Sequence, residues 1–276
     1  MLSVLTQTAF QNQNFSLLYN VVDGGSADKT VEIVERVIAK YVDVKNLQIN
    51  FISEKDTGMY DALAKGFAIE ACGDVYSYIN AGDYYSKYAF DIVSDIFIKN
   101  KVHFLTGLNA LYNEESHLIN LVMPFCYNKK LLIKGFYGKV LPFIQQESTF
   151  WSHKLHCEIN FEELKKLKLA GDYFLWKTFI EIENLYIVSA WLGGFKIHHG
   201  QLSSRCVYEY RKEQDAISIK PTLLDYIFAY IHKFVWLSPD FVKKRLCNDI
   251  FEYDHERHEY HVETHFIERL FRRIIR

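Results

Sequence analysis

Three acidic turns near glycine stand out in the first hundred residues: Asp23 in Val22-Asp23-Gly24-Gly25-Ser26, the Glu54–Asp56 turn before Gly58, and Asp83 in Asn80-Ala81-Gly82-Asp83. An acid so placed can hold a divalent metal or hydrogen-bond a base or ribose, and the glycine lets a phosphate approach the backbone. Asp83 suits the metal role, because a metal bridging two phosphates neutralises charge on a diphosphate leaving group. Taken singly, each is equally a turn aspartate that satisfies nearby amides. The chain has no Gly-x-Gly-x-x-Gly and no phosphate-loop lysine motif, which disfavours a dinucleotide dehydrogenase or an ATPase.

The elements that must position these acids alternate in type. Leu17 to Val22 reads as a buried strand, and Ser26 or Asp28 caps a helix with Val31, Ile33, Val34, Val37 and Ile38 at helical spacing. Leu47 to Ile52 reads as a second strand, Asp61 to Glu70 as a helix closed by Cys72-Gly73, and Asp74 to Ile79 as a third strand. Strand, helix, strand, helix, strand implies a parallel sheet with crossover helices, whose ligands sit beyond the carboxyl ends of the strands. All three acidic turns fall at those ends. Val102 to Leu141 reads as mixed strand and loop, Asn160 to Lys168 and the stretch from Ala170 as helices, Leu185 to Trp191 as a strand and Gly193-Gly194 as a turn.

Composition bounds the class. The chain has 276 residues, 49% hydrophobic and 24% charged, enough to bury a core. A formal charge of -2 argues against non-specific nucleic-acid binding. Cys72, Cys126, Cys157, Cys206 and Cys247 are scattered and odd in number, which fits free thiols in a reducing compartment. No segment resembles a signal peptide or a membrane span: Tyr226 to Leu237 is too short and holds His232 and Lys233. The expectation is a cytoplasmic protein, peripheral at the inner membrane face if it touches lipid at all.

Several stretches, taken in order, resemble bacterial family-two glycosyltransferases. Val22 to Thr30 is similar to that family's Val-Asp-Gly-Gly-Ser-x-Asp-Gly-Thr segment, and Ser53 to Gly66 to its Glu-x-Asp-x-Gly-Ile-Tyr-Asp-Ala-x-Asn-Lys-Gly stretch. Gly73-Asp74 with Asn80 to Asp83 resembles its strand and acidic metal motif, and Gln145 to Trp151 and Leu169 to Trp176 resemble its acceptor-side motifs. The resemblance runs from about residue 2 to 204 and implies a GT-A fold: an α/β mixed sheet flanked by helices, in a domain spanning 1–210, with a helical C-terminal appendage over 211–276. It implies inverting transfer of a sugar from a nucleotide-diphosphate donor to a saccharide or lipid-linked acceptor, in the branch that builds colanic acid, capsule or exopolysaccharide.

Carried over residue by residue, the resemblance places Asp23 and Gly24 near the nucleotide. Glu54, Asp56, Asp61, Lys65 and Asn80 shape the donor site. Asp83 holds Mg or Mn on the diphosphate. Asp172 is the catalytic base that takes the acceptor proton, with Glu147 the next candidate base or a sugar-hydroxyl acceptor. Trp151 stacks on a sugar face, and His198 and His199 lie near the diphosphate; Trp176 reads as core. The family's metal motif usually has two adjacent acids, whereas here Gly82 precedes Asp83. The family's opening strand also has no counterpart, because Leu2 to Gln7 already resembles the helix that follows it. A sheet lacking that strand is expected to expose unpaired backbone and weaken the base pocket. These departures motivate the alternative of a non-catalytic homologue kept as a binding or assembly partner.

Beyond residue 211 the chain is rich in His, Tyr and basic residues. On a helix His258, His261 and His265 would share one face and could bind a metal, although a solvated charged helix accounts for the same pattern. Phe266 to Arg276 carries four arginines against one glutamate beside an apolar stripe, and reads as a contact for an anionic membrane surface or for the protein's own body. Self-association stays open.

Overall fold

The computed structural model describes residues 1–69, 73–198, 201 and 205–262. A short helix α1 (Leu2–Leu5) precedes β1 (Leu17–Asp23), α2 (Thr30–Ala39), β2 (Leu47–Ser53) and α3 (Met59–Ala68). Next come β3 (Val75–Tyr76), β4 (Tyr84–Tyr85), α4 (Ala89–Asn100), β5 (Phe104–Thr106), β6 (Asn109–Tyr112) and β7 (Leu118–Val122). The middle holds α5 (Lys129–Ile133), β8 (Thr149–Ser152), α6 (His153–His156), α7 (Phe161–Leu164), α8 (Gly171–Ile180), β9 (Tyr186–Val188) and β10 (Gly193–Lys196). The last stretch is α9 (Val207–Ile217), α10 (Leu223–Trp236), α11 (Asp240–Leu246) and the hairpin β11 (Ile250–Asp254) and β12 (Glu259–Val262).

A six-stranded sheet in the order β12-β11-β9-β5-β8-β3 forms the body. Alternation along its strands sends Phe104 and Trp151 to one face and Leu105 and Phe150 to the other, and each set seeds its own buried cluster. On the first face Trp151, Trp176, Phe179 and Phe67 pack edge-on and tilted. A smaller sheet, β4-β10-β6-β7, adjoins the body. Gly193 of β10 is required there, because a side chain would meet the Glu147 carbonyl oxygen at 2.0 Å. The expected Gly193-Gly194 turn is therefore a strand.

Strands β1 and β2 pair in parallel from Leu17↔Leu47 to Asp23↔Ser53, as the sequence predicts. The third expected strand does not join them. Only Val75–Tyr76 is strand, and it pairs antiparallel with β8. Downstream of it, the Tyr78 carbonyl takes hydrogen bonds from the Gln146 side chain and the Tyr85 hydroxyl rather than from a neighbouring strand. Among the described residues β1 therefore has one paired edge. A cavity of about 1570 Å³ is lined both by Leu17 to Asn20 and by Gly73 to Ala81.

The C-terminal part departs from a wholly helical appendage. After three helices the chain turns into the β11–β12 hairpin, and β11 joins the body in parallel with β9. His258 sits in the hairpin turn with φ 54° and His261 in β12, so the helical histidine face is not formed. His265, Cys72 and Phe266 to Arg276 lie outside the described residues. Cys126, Cys157, Cys206 and Cys247 are free thiols.

Candidate active site

The candidate acids fall into two clusters. The first is the rim at the carboxyl ends of β1 and β2. Asp23 organises its own turn: its carboxylate accepts from the Ser26 hydroxyl at 2.5 Å, the Ser26 and Gly25 amides at 2.9 and 3.1 Å, and the Ser53 hydroxyl at 2.7 Å. The Ser26 hydroxyl and amide, then Ser53, hold its carboxyl down at about 2. Gly24 lies against the Asp56 carboxylate, which also accepts from the Gly58 amide at 3.0 Å. Lys65, one turn beyond Asp61 on α3, bridges Glu54 at 2.9 Å and Asp61 at 3.7 Å. Asp61 takes the Thr57 amide at 2.9 Å and so starts the helix.

The second cluster is deeper. Glu147 sits in a 3-10 turn, 146–148, pinned on both sides. Gln145 exchanges two 2.6 Å hydrogen bonds with the Ala110 backbone, and the Ser148 hydroxyl donates to the Gly193 carbonyl at 3.0 Å. Glu147 is thereby buried against Asp83, whose own carboxylate accepts from the Lys196 amide at 2.9 Å. Burial first, and then the Asp83 charge, push the Glu147 carboxyl upward. Burial likewise raises Asp83, against the Lys196 amide, Glu147 and the charge of His198. Asn80 donates to Gln146 at 3.3 Å beside them.

Asp172 opens α8 on the other side of Glu147, near enough for its charge to raise Glu147 further. Burial pushes the Asp172 carboxyl up to about 6. Opposing that are the Tyr173 amide at 2.7 Å, the Tyr210 hydroxyl at 3.1 Å and the nearby Tyr60 hydroxyl, each favouring the ionised form. The Tyr60 hydroxyl shares its one proton between Asp172 and the Leu169 carbonyl, 3.1 Å away, and its ring fills the space over Gly171, where any side chain would come within 2.4 Å. Lys168 reaches the Thr57 carbonyl at 2.6 Å. The start of α3, which carries the rim, is thus tied to the start of α8, which carries Asp172.

Among the described residues no group of three His, Cys, Asp or Glu side chains could hold a metal alone. A magnesium-type ion needs less, because one or two carboxylates suffice when phosphate oxygens and water complete its shell. Glu147 is buried and Asp83 half-buried, two carboxyls in contact, each with raised proton affinity, and a cation between them and a diphosphate would relieve that repulsion. The donor set fits such an ion.

The structure brings Asp83, Glu147, Asp172 and His198 together, with Asn80 alongside. It does not bring Trp151 to the site: the ring is fully buried between Phe67, Tyr78, Trp176 and Phe179, because its strand position points into the core. Trp176 is core, as expected. His199 lies outside the described residues. Sequence reasoning missed Tyr60, Gln146, Tyr210 and Glu213. Tyr60 lies inside a quoted motif without a role, whereas Tyr210 and Glu213 lie on α9, past the resembling segment. Glu213 accepts the Lys168, Leu169 and Ala170 amides at 2.8, 2.7 and 2.6 Å and so orients the entry to α8.

The mixed sheet flanked by helices, with its parallel β1–β2 unit at the rim, is a GT-A-like, glycosyltransferase-type fold. Its solved counterparts include S. aureus TarS. TarS 1–349 in complex with UDP-GlcNAc superposes with a TM-score of 0.50 at 14% identity, covering 88% of this chain and 64% of that one. A second structure of TarS 1–349 gives 0.51 at 14% identity, with coverage of 88% and 63%. A third TarS structure gives 0.50 at 15%, with coverage of 87% and 46%. The chain therefore spans less than two thirds of each TarS structure, and the likeness is one of fold. No protein-family model and no curated protein sequence matches the chain.

Proposed function

We propose that the protein is an inverting glycosyltransferase. In this reading it transfers a sugar from a nucleotide-diphosphate donor to a hydroxyl of a saccharide or lipid-linked acceptor, in the assembly of a bacterial surface polysaccharide. The observation that carries the reading is the run of a buried Glu147 between half-buried Asp83 and Asp172 in a GT-A-like fold.

Asp172 accepts the proton of the acceptor hydroxyl as that oxygen attacks the anomeric carbon and the bond to the diphosphate breaks. The Tyr210 hydroxyl and the Tyr173 amide both donate to Oδ1, which holds the carboxylate in place and favours its ionised form. Position in the first turn of α8 adds the favourable end of the helix dipole. Glu147 is placed to accept a sugar hydroxyl or to share the metal, and Glu54, Asp56, Asp61 and Lys65 border the donor. Mg or Mn, when bound, would supply positive charge against the leaving diphosphate, with Asp83 holding it. Residues 1–210 form the catalytic domain in this reading, and Phe266 to Arg276 contact an anionic membrane surface.

The test is a screen of nucleotide-sugars for donor hydrolysis and thermal protection with Mn present. Turnover that chelation abolishes, and that Asp83→Ala also abolishes, is expected; turnover indifferent to chelation would remove the metal from the reading. The edge of β1 that has no partner among the described residues, with the cavity beside it, favours one second reading, a homologue that assembles a polysaccharide complex without catalysis. Calorimetry separates the two, since absence of heat with uridine, guanosine and thymidine diphosphates would favour the non-catalytic role.

A further inference from the structure

Helix α10 is amphipathic in the reverse of the usual sense. Its inward face is Asp225, Ala229, His232 and Trp236, spaced by four, three and four residues, and it packs on Phe125, Tyr127 and Tyr137. Its outward face is the more apolar of the two. Leu223, Ile227, Tyr230, Ile231, Phe234 and Leu237 recur at helical spacing along one stripe, with Phe234 78%, Leu223 77% and Leu237 75% exposed. Phe241 of α11 extends the stripe past the Ser238-Pro239 corner. A single exposed leucine needs no explanation, but a continuous apolar stripe of this length does.

The charges around the stripe say what it meets. From residue 216 to 246 the chain holds two acids, and both are engaged in ion pairs. Asp225 is buried between Lys134 and Lys130, the latter at 2.9 Å, and those lysines with the Thr222 amide hold its carboxyl well below the usual range. Asp240 pairs with the buried Lys243 at 3.2 Å. Asp240 is itself 59% exposed, at the start of α11, and the other exposed charges between residues 216 and 246 are cationic: Lys220 before the helix, Lys233 at the edge of the stripe and Arg245 on α11. Tyr226 and Tyr230 add aromatic rings with a polar tip, which suit a boundary between hydrocarbon and water.

We propose that the outward face of α10, with the start of α11, is a docking surface for an anionic phospholipid bilayer. The helix has 14 residues and a length of roughly 21 Å, against a hydrocarbon core of roughly 30 Å. No helix among the described residues is long and apolar enough to cross a membrane. The stripe therefore lies in the headgroup boundary, parallel to the surface, with Phe234 and Leu237 immersed and the lysines at the phosphates. The surface stands on α10 alone and does not require the transferase reading. Were that reading right, it would bring a lipid-linked acceptor to the membrane plane on which the enzyme rests.

The experiment is co-sedimentation of the full chain with vesicles of phosphatidylglycerol and phosphatidylcholine in equal parts, and with phosphatidylcholine alone. Binding to the mixed vesicles, weakened by salt, is expected, with much less on phosphatidylcholine. Phe234→Ser and Ile227→Ser touch only the outward face, and circular dichroism and the thermal midpoint check that they fold. Each should lower partitioning about tenfold, and Lys220→Glu with Lys233→Glu should abolish the preference for the anionic lipid. Nucleotide protection in the absence of lipid should be the same in these variants as in the wild type, so failure of the transferase reading would show there and not in the vesicles. Absence of vesicle binding by the wild type, or equal binding by the serine variants, would overturn the proposal. So would a dimer that Phe234→Ser dissociates while no form of the protein binds lipid, since a second copy would then cover the stripe.

Discussion

Glu147 and Asp172 are carried by segments packed on a six-stranded sheet, whereas Asp23, Glu54 and Asp56 are carried by a two-stranded ribbon with a cavity along one edge. The first region is over-determined. Glu147 is locked by the Gln145 and Ser148 hydrogen bonds and by the backbone of Gly193, and Asp172 by an amide, two tyrosines and the Glu213 cap of the preceding loop. The second region holds its shape largely through local contacts, Asp23 gathering its own turn and Lys65 bridging Glu54 and Asp61. Chemistry that needs a fixed proton acceptor sits on the rigid part. Binding that tolerates adjustment sits on the part that can move, where local opening costs least.

The largest test of that division falls on the rigid side. Asp172→Asn keeps the shape and removes the base, so transfer should drop by about a thousandfold while nucleotide protection persists. Normal transfer by the Asn variant would take the base role from Asp172. A smaller but more direct contrast comes from hydrogen exchange. Alternate amides of Leu17 to Asp23 have no strand partner among the described residues, and they should exchange about a hundredfold faster than those of β5 and β8, a difference of roughly 3 kcal/mol in opening free energy. Equal protection in the two regions would mean that the β1 edge is covered in solution. A nucleotide that slows exchange at the rim and leaves β5 unchanged would sharpen the contrast.

The same division governs what the sequence discloses. Strands β1 and β2, helix α3 and the acidic turns are legible because local pattern decides them: an apolar run, a glycine turn and a capping acid lie next to one another in the chain. Asp74 to Ile79 has a strand's pattern as well. Past Val75–Tyr76, which pairs with β8, it fails as a strand for want of a neighbour, since the Tyr78 carbonyl takes side chains from residues 85 and 146, and local pattern cannot disclose that. Trp151 misleads for a related reason: a tryptophan in an acceptor-like motif suits a sugar face, and only the pairing of β8 with β5 and β3 turns it into the core. The histidine-rich segment reads as a helix from spacing alone, while pairing with β9 makes its start a hairpin. The resemblance covered the carboxylates and stopped short of α9. The residue there that reaches the base, Tyr210, had no local signal.

Tyr210 gives the subtlest test, because its contribution is electrostatic and can be separated from its packing. Its ring rests on Phe143 and its hydroxyl donates to Asp172 at 3.1 Å. Tyr210→Phe keeps the ring and removes one donor. The carboxyl stands at about 6 because burial raises it and three donors pull it down. Since hydrogen bonds to a carboxylate favour the ionised form, losing one must raise that value further. A hydrogen bond to a charged group is worth about 1.5 kcal/mol net, or about one pH unit. A base acts when ionised, so wild-type activity should climb with pH through about 6, and the limb of the Phe variant should lie about one unit higher. At pH 6 the variant would run several-fold slower, and at pH 8 the two would converge, where Asp172 is ionised in both. A uniform loss at every pH would assign Tyr210 a packing role. An unshifted, undiminished profile would mean that the Tyr173 amide and Tyr60 suffice to poise the base, and that α9 serves the site only through Glu213.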